Sequence, residues 1–92
     1  MTQEQLRHLN TIVEHYGSMN QLKQAKEECE ELIYEIDMAL ELNGIRENII
    51  DEIADVEVMC NQLKIIFSCF GEVEERVDFK INRQLDRIAK GE

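Results

Sequence analysis

Proline and tryptophan are absent from this chain, glycine occurs four times, and basic side chains number 10 against 20 acidic ones. Each shortage excludes something. Without proline, nothing in the sequence forces a break in a long helix. No apolar run approaches the roughly 20 residues that span a bilayer, and MTQEQLRHLN at the start lacks the apolar stretch of a signal peptide. The expectation is a soluble, unexported chain with no membrane partner. Cys29, Cys60 and Cys69 are odd in number and show no CxxC or Cys/His spacing. This argues against a disulfide framework and a zinc site, and for a reducing, cytoplasmic setting. The net charge of −10 would repel a nucleic-acid backbone, so no nucleic acid is expected as a partner. A hydrophobic content of 43% is too high for a disordered acidic tail. Ninety-two residues make one domain, 1–92, and a chain this short buries a small share of its surface.

What is present reads as an all-α chain of four helices. Gly17, Gly44, Gly71 and Gly91 stand at near-regular intervals where helices would stop. Leu6, Leu9, Val13 and Tyr16 recur at helical spacing and predict a first helix over 3–16. Ser18 followed by Gln21 matches a capping box, so a second helix is expected from about Met19 to Leu42, before Asn43-Gly44 turns the chain. A third is expected from about Arg46 to Phe70, and a fourth from Glu72 to Ala89 along Val73, Val77, Ile81, Leu85 and Ile88.

The third helix carries two apolar groups. With about 100° of rotation per residue, Val56, Met59, Leu63, Ile66 and Phe70 share a main stripe, while Val58, Ile65 and Cys69 fall on nearly the opposite side. A monomer core accounts for the first alone. The second predicts contact with another subunit, hence a homo-oligomer built from antiparallel helices.

Most acidic residues on helices are solvated, and Glu27, Glu30, Glu57 and Glu72 fit that description. Glu52 differs, because its helical phase lies between those of Met59 and Leu63, inside the apolar stripe. Asp55 lies one turn along, and Glu28, Glu31 and Glu35 border the core face of the second helix. In a hairpin turning at Asn43-Gly44, Glu31 and Asp55 reach similar heights. Four converging carboxylates repel unless protonated or neutralised, and hard oxygen donors suit Mg²⁺ or Mn²⁺. A di-iron centre would need Glu-x-x-His, and neither His8 nor His15 follows a Glu at that spacing.

Half of the positive charge lies in residues 76–90. Arg76, Lys80, Arg83 and Arg87 recur at i, i+4, i+7 and i+11 on one face of the fourth helix. A phosphate held by a metal on carboxylates needs further cations, and Lys80 and Arg83 are the expected phosphate-binding donors.

KEECEEL (26–32) and DEIADV (51–56) resemble the motif pair of the MazG-like family of all-α nucleoside triphosphate pyrophosphohydrolases, an E-E-x-x-E followed by E-x-x-D. Glu27, Glu28 and Glu31 match the first part, and Glu52 and Asp55 the second, with 20 residues between Glu31 and Glu52. YGSMNQLKQAKEE looks like the family's approach to its first motif, and FKINRQLDRI (79–88) like its C-terminal basic helix, so the similarity spans about 16–88. The resemblance implies Mg²⁺ ligands at Glu28, Glu31, Glu52 and Asp55. It also implies cleavage of a nucleoside triphosphate substrate to monophosphate and pyrophosphate, and dimers or tetramers. Glu27 or Glu35 is the expected proton acceptor for the attacking water. The rival expectation is a noncatalytic acidic helical oligomer with a structural, regulatory or partner-binding role. No aromatic platform for a base stands out among Tyr16, Tyr34, Phe67, Phe70 and Phe79.

Overall fold

Thr2 opens the first helix with a reciprocal cap: Gln5 N–H donates to Thr2 Oγ1 at 3.0 Å, and Thr2 N–H donates to Gln5 Oε1 at 2.9 Å. In the computed structural model, which describes all 92 residues, this begins α1 (Gln3–Tyr16), followed by α2 (Ser18–Leu40), α3 (Arg46–Ile66) and α4 (Phe70–Ala89). The chain is all-α with four helices and no strand, as its periodicity predicts. No helix is long and apolar enough to cross a membrane.

Gly17 alone joins α1 to α2. Its φ of +89° suits glycine, and its N–H closes α1 by donating to the Val13 carbonyl at 2.8 Å. The capping box expected at Ser18 does not form, because α2 starts without a side-chain cap. Gln21 is turned inward instead, where its Nε2 donates to Gln62 Oε1 of α3 at 2.7 Å. A partner in the core outcompetes a surface cap, since an unpaired amide there would lose its water for nothing.

α2 and α3 form an antiparallel hairpin and pack most extensively; α1 lies against both, and α4 meets α3 alone. The second helix ends two residues earlier than its expected limit, and the residue in left-handed conformation is Leu42 (φ 62°), not Asn43 or Gly44. Gly44 serves by its missing side chain: a Cβ there would stand 3.2 Å from Ala39 Cα. The third helix stops at Ile66, short of Phe70, because Ser68 takes φ 51° and turns the chain. Gly71 therefore falls inside the first turn of α4 and marks no break.

The core is small. Leu9 and Val13 of α1, Ala25 of α2 and Met59 of α3 are its buried apolar residues, around the Gln21–Gln62 pair. Val58, Ile65 and Cys69, expected at an interface, are each half-buried within the single chain. Outside contact is not needed to remove much of that stripe from water. The stripe of α4 is the uncovered one, from Val77 at 47% exposure to Ile88 at 69%. The radius of gyration is 16.0 Å, against about 12 Å for a compact domain of this length.

Candidate metal centre

Residues three apart on a helix share a face, so Glu28 and Glu31 leave α2 together, and Glu52 and Asp55 leave α3 together. The antiparallel hairpin brings the two pairs to one level. One carboxylate oxygen from each of the four lies within 4.8 Å of the others. Glu28 and Glu52 are half-buried, and Glu31 and Asp55 exposed, so the group sits at the edge of the seam and opens to solvent.

The local bonding is unbalanced. Gln24 Nε2 donates to Glu28 Oε1 at 2.8 Å, while Glu28 Oε2 and Glu52 Oε2 are shielded from water with no hydrogen-bond partner. No cationic side chain compensates, since the chain's one salt bridge is Lys90 to Asp86. The acidities respond accordingly. Desolvation pushes Glu52 above its ordinary carboxyl value, helped by the charges of Glu31, Asp55 and Glu28 and by a hydrogen bond with Glu31. Asp55 is raised by desolvation, then by Glu28 as charge and hydrogen-bond partner, then by Asp51. An all-oxygen donor set with two unpartnered shielded oxygens fits a hard divalent cation such as Mg²⁺ or Mn²⁺.

Beside this group lies an open hollow of about 360 Å³ lined by Glu27, Glu30, Glu31, Tyr34, Glu35 and Glu52. Both expected proton acceptors, exposed Glu27 and half-buried Glu35, border it. Tyr34 went unremarked as a site residue, and Glu30 read as plain surface. The signal for Tyr34 was its spacing, three residues beyond Glu31 and so on the same flank of α2.

Lys80 and Arg83 are not brought to the carboxylates of their own chain. Both are exposed on α4, which contacts neither α1 nor α2. The Arg83 guanidinium instead lies 5.8 Å from the centre of the Phe79 ring, with Arg76 on the same ring at 4.6 Å. The turn at Ser68 releases α4 from the hairpin, a backbone event that the side-chain periodicity does not encode.

In comparisons with known proteins, no family model matches the chain, and neither a curated protein nor a solved structure is found similar to it.

Proposed function

We propose that the protein is a Mg²⁺-dependent nucleoside triphosphate pyrophosphohydrolase of the MazG-like kind, with Glu28, Glu31, Glu52 and Asp55 holding the metal. The observation that carries this reading is the convergence of two i, i+3 carboxylate pairs within 4.8 Å, with two shielded oxygens lacking any partner. When bound there, Mg²⁺ supplies charge neutralisation for the phosphates and for the leaving pyrophosphate.

In the reaction, water adds to the α-phosphorus and the bond from that phosphorus to the bridging oxygen of the β-phosphate breaks. The products are a nucleoside monophosphate and pyrophosphate. Glu27 or Glu35, both on the hollow, takes the proton from the water, and Tyr34 offers the base a ring to lie against. The substrate class rests on the motif resemblance of residues 26–32 and 51–56. On this reading the enzyme serves the nucleotide pool, works in the cytoplasm with Mn²⁺ as an alternative metal, and assembles as a dimer or tetramer.

A second reading, a noncatalytic acidic oligomer, is favoured by one observation: no cation of the same chain stands ready for phosphate. One experiment separates the two. Purified protein is incubated with Mg²⁺ and a panel of standard and modified (d)NTPs while pyrophosphate and monophosphate are measured. Equal release of both products, lost in Glu52→Gln, supports the enzyme. No release from any nucleotide, together with unchanged metal affinity in Glu52→Gln, rejects it.

A further inference from the structure

We infer that a second copy of this chain covers the side of the α2–α3 hairpin opposite the carboxylates, through Ile33, Ile36 and Leu40 of α2 and Ile53 and Phe67 of α3. This deepens the oligomeric part of the proposed function and is independent of its catalytic part.

The carboxylates themselves fix the geometry. Glu31 and Asp55 meet on one side of the hairpin seam, each rotated backwards in helical phase from the centre of its buried face. Positions rotated forwards must then share the other side. On α2 these are Cys29, Ile33, Ile36 and Leu40, within an arc of about 60°, and on α3 they are Ile53, Cys60 and Phe67, within about 40°. All seven are exposed, Leu40 and Phe67 strongly so at 76% and 62%. The outcome is one continuous apolar side on two adjacent helices, broader than the scattered single hydrophobics that a monomer shows.

The amount of surface points to a copy as the occupant. The chain exposes 7263 Å², whereas a compact monomer of 10.8 kDa exposes about 5,500 Å². The excess of about 1,700 Å² per chain is about twice what each partner contributes to an ordinary stable interface, and matches the range of obligate homodimers. Only six of 92 residues are buried, so the partner is needed for the fold itself. The one partner always present wherever this chain is made is the chain. Two hairpins meeting by these sides about a two-fold axis give a four-helix arrangement that leaves both carboxylate groups open to solvent. The exposed stripe of α4, from Val77 to Ile88, adds to the surface that assembly removes from water.

Cys29 and Cys60 report on the interface directly, because both thiols are exposed in the single chain and lie within the arcs described. The experiment combines light-scattering mass with iodoacetamide footprinting of wild-type protein, native and in urea, read for each cysteine by mass spectrometry. The expected result is a dimer or larger assembly in which Cys29 and Cys60 label at least about tenfold more slowly than in urea. Ile33→Glu is expected to lower the mass or to abolish folding; the footprint of the wild type stands whichever occurs. An assembly in which both thiols label as fast as in urea overturns the inference, since the copies then meet elsewhere. A stable monomer also overturns it, including one that floats with phosphatidylcholine vesicles or is protected only by a different protein.

Discussion

Gln21 Nε2 donates a 2.7 Å hydrogen bond to Oε1 of Gln62, joining α2 to α3 inside a core where Gln62 is only 2% exposed. The remaining amide of Gln62 has nothing better than the Met59 sulfur at 3.7 Å. Breaking the pair from one side strands a buried amide. Gln62→Leu is therefore expected to lower stability by about 1–3 kcal/mol, and Gln21→Leu with Gln62→Leu to recover most of the loss. Urea unfolding of the four proteins of this cycle measures it. Equal losses in the single and double variants would show that the hydrogen bond has little weight.

Metal and stability trade against each other at Glu52. Its carboxyl is raised by desolvation and then by three acidic neighbours, so removing its charge relieves the metal-free fold. Glu52→Gln should melt higher than wild type in EDTA, lose the stabilisation that Mg²⁺ confers, and bind the metal at least about 100-fold more weakly. Melting curves with and without Mg²⁺, with calorimetric titration, give the three quantities. A variant that melts lower than wild type in EDTA would mean that the carboxylate holds the fold together and carries no strain.

The pH dependence follows from the same shifts. Glu52 and Asp55 are both raised in the fold, so over a window above their ordinary values the folded chain binds more protons than the unfolded one. Their contribution to stability is then greatest at low pH and is lost as pH rises through the folded values. Metal-free protein should melt higher at about pH 5.5 than at about pH 7.5, and saturating Mg²⁺ should flatten or reverse that difference. A metal-free melting temperature that climbs with pH would contradict the origin assigned to the shifts.

Helix phase was legible in the sequence because it is local: the stripes of α1 and α3 and the four inward carboxylates all follow from rotation per residue. The turns were less so. Leu42 and Ser68 take positive φ with no residue type to announce it, and their effect is large, since the Ser68 turn decides where α4 goes and hence where Lys80 and Arg83 stand. Glycine misled for the same reason. Gly44 was placed correctly in a turn, yet it is there for a close approach to Ala39, and Gly71 sits within a helix. Likewise Ser18-x-x-Gln21 has the pattern of a cap, but whether Gln21 caps or enters the core depends on Gln62, 41 residues away.

The two glycines make opposite predictions. A Cβ on residue 44 meets Ala39 backbone atoms at 3.2 and 3.3 Å, and backbone cannot swing aside as a flexible side chain does. Gly44→Ala should cost about 1–3 kcal/mol. Residue 71 has nothing within 4 Å of the added atom and lies in the first turn of α4, so Gly71→Ala should gain about 0.5–1 kcal/mol. Paired urea titrations decide both, and a gain at 44 would place the α2–α3 turn wrongly.

Lys80 and Arg83 stand on a helix that does not return to its own carboxylates, so a role in binding triphosphate requires a neighbouring copy. That requirement has a direct consequence for mixtures. Arg83→Ala and Glu52→Gln each damage one half of a site, and if the halves come from different chains, a mixed dimer contains one site with both halves intact. Unfolding the two inactive variants together and refolding them should restore about a quarter of wild-type activity, because half the dimers are mixed and each has one good site of two. If the halves came from a single chain, a mixed dimer would carry one defect in each site and refolding would restore nothing. Pyrophosphate release from the refolded mixture, against each variant refolded alone, tells these arrangements apart. An Arg83→Ala protein with wild-type KM and kcat would remove Arg83 from phosphate binding and leave its stacking on Phe79 as its role.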